Sequence, residues 1–266
     1  MIQQSEFDVL ARGARMQLRV IGALMIRELQ SRFGRHNIGF LWFLVEPLLL
    51  AGGVTVVTYN MHAQIPEGLH PLPFHIVGYI GYMQFRTNAN RAAAVILSNR
   101  VLMYHRQVSI TNIVVACTLL EFCATFGALI VLTSIFAWLG LSPIPERPLS
   151  LIFGMLLMWW YTMALAMIIC ALSQYSEAVD RLVHPITYLS LPFSGMLFRI
   201  DWLPPDLREL AQWLPLPQIT EIIRQGVWGD LHSDYLHPFY IISQAAVLTF
   251  LGLLGLRVAR HRVRFE

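Results

Sequence analysis

The sequence predicts an all-α membrane protein with six transmembrane helices, an N-terminal amphipathic interface helix, and two short re-entrant or interfacial helices between spans five and six. Three observations predict this class. The 266 residues are 56% hydrophobic and 13% charged, whereas a soluble domain is about 25% charged. Several apolar runs reach the roughly 20 residues that a spanning helix needs. Arginine is concentrated in alternate connecting segments, as in membrane proteins of fixed orientation. This composition argues against a disordered chain and against a soluble enzyme.

The N-terminal stretch, residues 1–37, is predicted to be a cytoplasmic interface segment. Arginines interrupt any apolar run there, so it does not resemble a signal peptide. At 100° per residue, residues 10–29 form an amphipathic helix. Its apolar face consists of Leu18, Ile21, Leu24, Met25 and Leu29, and its basic face of Arg12, Arg15 and Arg19. Such a helix is expected to lie among lipid headgroups; the alternative is a solvated surface helix.

Six segments between residues 38 and 256 are predicted to cross the membrane. In order, they are residues 38–60, 72–97, 113–140, 151–173, 182–198 and 239–256. The fourth contains no charged residue. The second becomes polar from Arg86 onward, and the fifth is just long enough and contains two prolines. A basic cytoplasmic tail, residues 257–266, follows the last span.

The charge distribution predicts the orientation. Residues 1–37, 86–112, 174–181 and 257–266 together hold 15 arginines and 6 acidic residues. The connecting segments on the opposite side hold 4 arginines and 8 acidic residues. Because arginine-rich segments stay in the cytoplasm, both termini are predicted to be cytoplasmic. An even number of spans is then required, in agreement with six.

Residues 199–238, between the fifth and sixth spans, contain two predicted short helices. One proline pair precedes the sequence DLRELAQWL, and a second precedes QITEIIRQGVWG. Proline is favoured at the first position of a helix. Trp202, Trp213 and Trp228 accompany these helices, and tryptophan favours the membrane interface. We therefore expect both helices at the outer membrane face or dipping into it.

The absence of lysine restricts the chemistry, because all 19 basic residues are arginine. A Walker A loop and a Schiff-base centre each need a lysine, so any ATP would be bound by another chain. Cys117, Cys123 and Cys170 lie in apolar runs without metal-ligand spacing and are expected to be small buried residues. The nine histidines form no zinc pattern. We expect no metal, no catalytic residue and no nucleic-acid partner.

Two acidic residues lie inside predicted spans, where a charge is costly and suggests a function. Glu46, which Pro47 follows, is about 12 Å into the first span. It either fixes the packing of moving helices by pairing with Arg86 or Arg91, or forms a static ion pair. Glu121 lies at a similar depth in span three, and there the static ion pair is favoured.

Aromatic residues are spread over the spans, and interfacial belts and core packing explain most of them. A sharper hypothesis is that some contact a glycan, because pyranose rings stack on aromatic faces. The candidates are Trp42, Phe43, Tyr59, Trp159 and Trp160. Between spans two and three, residues 98–106 alternate apolar and basic residues. This segment either docks a soluble partner or is a connector held by lipid headgroups.

Three blocks of the sequence resemble the permease subunits of ABC type-2 exporters, in particular those that export capsular polysaccharide in Gram-negative bacteria. The blocks are RELQSRFGRHNIGFLWFLVEPLL (Arg27–Leu49), SNRVLMYHRQVSITNIV (Ser98–Val114) and PFSGMLFRIDWLPPDLRELAQWLPLPQITEIIRQGVWG (Pro192–Gly229). They occur in order over nearly the whole chain. The resemblance implies a homodimer that binds two copies of a separate ATPase, and this ATPase would bind ATP and Mg²⁺.

The resemblance also implies roles for individual residues. The family's coupling helix, which enters a cleft of the ATPase, corresponds to Asn99, Arg100, Leu102, Met103, Tyr104, His105 and Arg106. The end of the N-terminal helix, which also contacts the ATPase, corresponds to Arg27, Glu28, Arg32 and Arg35. Glu46 and Pro47 match a Glu-Pro pair that follows a Gly-x-x-Trp stretch. Glu221 and Arg224 match a Glu-x-x-Arg pattern in the outer re-entrant helices.

The function expected from the resemblance is that of a permease that exports lipid-linked capsular polysaccharide across the bacterial inner membrane. Further partners implied are a periplasmic or inner-membrane polysaccharide co-polymerase, an outer-membrane export channel and membrane lipids. One alternative is a permease of the same fold that exports O-antigen, teichoic acid, or a small lipid or drug. A remote alternative is a membrane-embedded enzyme of glycan assembly.

Overall fold

The computed structural model describes residues 6–33, 38–60, 69–99 and 108–263. Over these residues the chain forms helices and turns without a strand, which confirms the all-α prediction. The helices are α1 (Glu6–Phe33), α2 (Ile38–Asn60), α3 (Pro71–Ser98), α4 (Ile110–Trp138), α5 (Pro148–Ser173), α6 (Glu177–Leu189), α7 (Pro205–Ala211), α8 (Pro215–Val227) and α9 (Pro238–Val263). Short 3₁₀ turns lie at Leu191–Phe193 and Ile200–Trp202.

Four of the described helices are long and apolar enough to cross a membrane. These segments are Leu41–Thr58 of α2, the whole of α4 and α5, and Pro238–Arg260 of α9. α3 has 28 residues, or about 42 Å, but carries Arg86 and Arg91 in its second half. α6 has 13 residues, or about 20 Å, which is shorter than the roughly 30 Å hydrocarbon core of a bilayer.

α6 differs in position from the predicted fifth span, residues 182–198. It begins earlier because the hydroxyl of Ser176 caps the helix and accepts a hydrogen bond from the Ala178 backbone N–H at 3.2 Å. It also ends earlier. Pro192 has no N–H to continue the helix, and Gly195 has a φ of +74°, which a helix cannot accommodate. Only the first part of the predicted segment is therefore α-helical.

The largest buried core lies where α3, α4, α5 and α8 meet. Polar side chains of α3 are hydrogen-bonded across it. The Asn88 amide donates to the Thr162 hydroxyl at 3.0 Å, and the Tyr82 hydroxyl donates to the Thr187 carbonyl at 2.7 Å. Because unpaired polar groups are costly away from water, these bonds allow a partly polar helix to occupy the centre of the bundle.

α1 packs against a second buried cluster, formed mainly by α3, α4, α5 and α9. Leu24 is buried there, and Ile21 and Met25 pack beside it. Leu18 and Leu29 are exposed. The apolar face of the predicted interfacial helix is therefore divided, since one part covers protein and the other is exposed.

The two short helices before α9 differ in burial. α7 exposes Leu207 and Leu210. Every residue of α8 from Pro217 to Val227 is buried. α8 approaches α5 so closely that a Cβ on Gly226 would lie 2.5 Å from Leu151. α8 is therefore an internal element of the described fold, which the amphipathic pattern did not distinguish from an interfacial helix.

The cysteines are only partly as expected. Cys117 and Cys170 are buried free thiols, whereas Cys123 is exposed, which corrects the expectation that all three are buried. The reason is helical geometry. Cys117 and Cys123 are six residues apart on α4 and therefore face directions about 120° apart.

Candidate functional site

The first candidate cluster joins α2 to α3 and is called the Glu46 pair. The Arg86 guanidinium contacts the Glu46 carboxylate, and the Tyr79 hydroxyl donates to the same carboxylate at 2.9 Å. The two charged side chains are 12% and 13% exposed. Arg86 Nη1 also donates to the Tyr188 hydroxyl of α6 at 3.3 Å. Pro47, the neighbour of Glu46, is buried within α2. Two arginines, Arg86 and Arg91, were predicted as possible partners of Glu46, and the structure pairs it with Arg86.

An open cavity of about 420 Å³ adjoins the Glu46 pair. α2 contributes Trp42, Glu46, Leu49 and Leu50 to its lining, and α3 contributes Arg86. The four α2 residues follow a spacing of four, seven and eight residues, which places them on one face of the helix. The cavity thus combines an ion pair, an indole ring and aliphatic side chains.

The second cluster, called the Arg91 cluster, consists of Glu28, Arg91 and Glu121. Arg91 Nη1 lies 3.0 Å from Glu121 on α4, and Nη2 contacts Glu28 on α1. The Glu121 side chain is 1% exposed and that of Arg91 is 30% exposed. The ion pair favoured for Glu121 is therefore observed. Because one guanidinium serves two carboxylates, it holds three helices together.

A neighbouring bond also ties α1 to α3. Arg27 Nη1 donates to Asn99 Oδ1 at 2.7 Å, and the Asn99 amide donates to the Val95 carbonyl at 2.9 Å. Asn99 is thus buried at the end of α3, although the resemblance implied a contact with the ATPase. Several other residues predicted to contact the ATPase lie outside the described residues. They are Arg35, the side chain of Arg32, Arg100, Leu102, Met103, Tyr104, His105 and Arg106.

The third cluster, called the Glu221 cluster, joins α8 to the turn before α7. Glu221 accepts hydrogen bonds from the Ile200 backbone N–H at 3.0 Å and from Arg199 Nε at 3.1 Å. Arg199 also contacts Asp201 at 2.8 Å. The Glu221 and Arg199 side chains are 2% and 9% exposed. These contacts anchor the buried face of α8 to the preceding loop.

Arg224, one turn further along α8, is fully buried. Its guanidinium donates to the Met196 carbonyl at 2.7 Å and stacks 3.7 Å from the centre of the Phe74 ring. It occupies the space where a Cβ on Gly78 would lie. Burial lowers the pKa of Arg224 to about 9, and the nearby Glu221 carboxylate opposes that shift, so the side chain is charged at neutral pH. This arginine cross-links α3, α8 and the loop between α6 and α7.

The candidate glycan-contacting aromatics occupy different environments. Trp42 is 57% exposed on the cavity beside the Glu46 pair, whereas Phe43 is buried. Trp159 and Trp160 are partly buried, and the Trp160 indole donates to a hydroxyl of α9 at 3.0 Å. The side chain of Tyr59 lies outside the described residues. Among the candidates that can be placed, Trp42 borders the open cavity.

The described residues contain no group of three His, Cys, Asp or Glu side chains that could hold a metal ion. His232 Nε2 lies 3.8 Å from Asp234 in an exposed position. The three clusters consist mainly of arginine and carboxylate groups. Such groups cross-link helices or bind anions.

Sequence reasoning missed that Arg86 and Arg91 serve different carboxylates. The spacing contained the signal, since five residues correspond to about 140° around α3. It also missed Tyr79, Arg199 and Asp201. For these no local pattern exists, because their partners are brought together only by the fold.

Comparison with known proteins adds three relatives and a family. A family model described as ABC-2 type transporter matches residues 19–228. The capsule polysaccharide export inner-membrane protein CtrC of Neisseria meningitidis serogroup B is 34% identical over 238 residues, 90% of each chain. The capsule polysaccharide export inner-membrane protein BexB of Haemophilus influenzae is 32% identical over 239 residues, also 90% of each chain. The polysialic acid transport protein KpsM of Escherichia coli is 26% identical over 260 residues, 96% of each chain.

Proposed function

Because the chain belongs to the ABC-2 type transporter family, we propose that it is the permease subunit of an ATP-driven exporter that moves lipid-linked capsular polysaccharide across the inner membrane. The observation that carries this proposal is the match to two relatives named for capsule export, at 32–34% identity over nine-tenths of both chains. The helical, apolar architecture supports a membrane-embedded subunit.

The proposal includes six transmembrane helices. α2, α4, α5 and α9 have the length and composition required. α3 is supported as a further span because its charged side chains are paired with Glu46 and Glu121 from neighbouring helices. α6, extended by the 3₁₀ turn that follows it, provides the sixth crossing. Both termini then lie in the cytoplasm, in agreement with the arginine distribution.

A second copy of the chain completes the pathway in this proposal. Only 17% of the apolar window Leu41–Thr58 of α2 is buried within the described fold. Leu48, Leu49 and Leu50 are among its exposed residues. A homodimer that meets along α2 would enclose this surface, with part of it in contact between the copies and part of it lining the pathway at their seam.

Two copies of a separate ATPase bind ATP and Mg²⁺. Two elements of this chain carry the motion of the ATPase to the membrane. These are the connector Asn99–Arg106 and α1. The hydrogen bond between Arg27 and Asn99 and the ion pair between Glu28 and Arg91 support this route, because a displacement of α1 would also displace α3. The spans then shift as rigid bodies and open the pathway. A co-polymerase and an outer-membrane channel receive the polymer beyond the inner membrane.

Gene deletion and complementation test this function. Loss of the gene is expected to remove polysaccharide from the cell surface and to leave it inside the cell, with drug tolerance unchanged. A plasmid copy should restore export. Normal surface polysaccharide in the deletion strain would contradict the proposal.

The same strain separates the alternatives. Chemical analysis of the missing surface polymer distinguishes capsule from O-antigen or teichoic acid. A change in drug tolerance alone would favour a small-molecule transporter. Turnover of a glycan precursor by the purified chain without an ATPase would favour an enzyme of glycan assembly.

A further inference from the structure

The Glu46 pair lies in an unfavourable place for a purely stabilising contact. Glu46 is about 12 Å from the start of α2, within one of the helices able to cross a membrane. When an ion pair is buried, both charges lose their solvation, and this loss offsets most of their mutual attraction. The pair therefore contributes little net stability. Ionisable groups at such a depth more often mark the route of a substrate.

The adjoining cavity has the composition expected for an amphipathic anion. Its volume of about 420 Å³ lies in the range of small-molecule sites. Arg86 supplies positive charge, Trp42 supplies an exposed aromatic face, and Leu49 and Leu50 supply exposed aliphatic surface. A ligand with an anionic group, a sugar ring and an apolar chain complements all three.

Arg86 retains hydrogen-bonding capacity for such a ligand. A guanidinium has five N–H donors. One side of Arg86 contacts Glu46, and the bond from Nη1 to the Tyr188 hydroxyl is long, at 3.3 Å. Arg86 Nε also has no hydrogen-bond partner among the described residues, but it is buried, so a ligand in the cavity would be bound by the Nη groups. Phosphate matches the planar fork of arginine and forms short charge-assisted bonds with it.

We propose that this cavity is a binding subsite for a phosphate ester carried on an apolar chain. Arg86 donates to the phosphate, Trp42 covers a neighbouring sugar ring, and Leu49 and Leu50 contact the chain. Glu46 competes with the phosphate for Arg86, so the ligand is held reversibly and can move on. This inference rests on the proposed function, in which the substrate is a lipid-linked glycan.

The test measures the affinity of a fluorescent dodecyl phosphate for the full chain, assembled with its ATPase in nanodiscs of phosphatidylcholine. Glu46→Gln removes the competing negative charge and should tighten binding about tenfold, whereas Arg86→Gln replaces the charged guanidinium by a neutral amide and should weaken binding about tenfold. Glu121→Gln is the matched control, because it also neutralises a carboxylate paired with an arginine of α3. It should leave the affinity unchanged, since Glu121 does not line the cavity.

The opposite signs distinguish ligand binding from a structural role. A purely structural pair would lose probe affinity in both variants, and that result would overturn the proposal. Equal affinities in all variants would overturn it as well. If Arg86→Gln fails to assemble, it is replaced by Arg86→Lys, which keeps the positive charge. The proposal then still requires Glu46→Gln by itself to tighten binding.

Two further arms identify the source of the phosphate. If phosphatidylglycerol added to the nanodiscs displaces the probe, the subsite accepts ordinary lipid headgroups. If a maltosyl dodecyl phosphate binds more tightly than dodecyl phosphate and Trp42→Ala abolishes the difference, the subsite selects a glycolipid. Both results support the phosphate subsite. Failure of the gene-deletion test would refute export but leave these affinities valid, so the two failures are distinguishable.

Discussion

At the scale of single residues, Arg91 joins three helices by contacting two carboxylates. Arg91→Ala removes the cation that both Glu28 and Glu121 contact, and with Arg91 in place their side chains are only 16% and 1% exposed. Removing one partner of a buried ion pair leaves a poorly solvated charge, so we expect a loss of about 3 kcal/mol in the free energy of unfolding. Thermal unfolding of the purified chain in detergent should show this as a lower Tm.

Arg181→Ala provides the control for this prediction. Arg181 also pairs with a glutamate, Glu177, but both side chains are exposed, at 80% and 89%. Such surface pairs contribute little, so the Tm should hardly change. Combining Arg91→Leu with Glu28→Gln and Glu121→Gln should recover much of the loss, because no charge is then left behind. A Tm for Arg91→Ala equal to that of Arg181→Ala would contradict the importance of the Arg91 cluster.

The residue scale also shows where prediction from the sequence is limited. Glu46 was recognisable because a carboxylate within an apolar run is rare. Its partner could be narrowed to Arg86 or Arg91, the two arginines of α3. The contact between Arg91 and Glu28 could not be predicted, since 63 residues separate them and the packing of α1 against α4, which brings Glu28 near Arg91, is not encoded in any local pattern.

At the scale of elements, the contact between α5 and α8 depends on glycine. A Cβ on Gly226 would lie 2.5 Å from backbone and side-chain atoms of Leu151. Gly226→Ala should therefore force α8 away from α5 and cost about 1–3 kcal/mol, as overpacking of a core does. The expected readout is a lower Tm together with faster proteolysis of the segment around α8.

Gly127→Ala is the matched control for Gly226→Ala. Gly127 also lies within a helix, α4, but a Cβ there would have no atom within 4 Å. Alanine favours a helix over glycine by about 0.5–1 kcal/mol, so this variant should be neutral or slightly more stable. If both variants behave alike, close packing of α8 does not stabilise the fold.

The elements differ in how far the sequence predicted them. Apolar runs were sufficient for α4 and α5, because length and composition define a buried helix. They were insufficient for α8, whose polar residues Glu221 and Arg224 resemble the exposed side of an amphipathic helix. Those side chains are instead paired with Arg199 and with loop carbonyls. Only the folded chain shows that a polar face has protein partners rather than water.

At the scale of the whole molecule, the proposed topology places the part of α6 after Arg181 and the turns that follow it across the membrane, with residues 174–181 in the cytoplasm and residues 199–238 outside. Asp234 and Glu177 lie on either side of this segment, and their side chains are 92% and 89% exposed. In a Cys123→Ser background, which removes the exposed native thiol, a cysteine at either position can be labelled without interference from the buried cysteines.

Asp234→Cys should react with a membrane-impermeant maleimide in intact spheroplasts. Glu177→Cys should react only after the membrane is opened. This pattern requires an odd number of crossings between the two positions, and the proposed topology assigns a single crossing to α6 and the turns after it. Labelling of both positions from the same side would remove α6 as a span and, with it, the cytoplasmic placement of both termini.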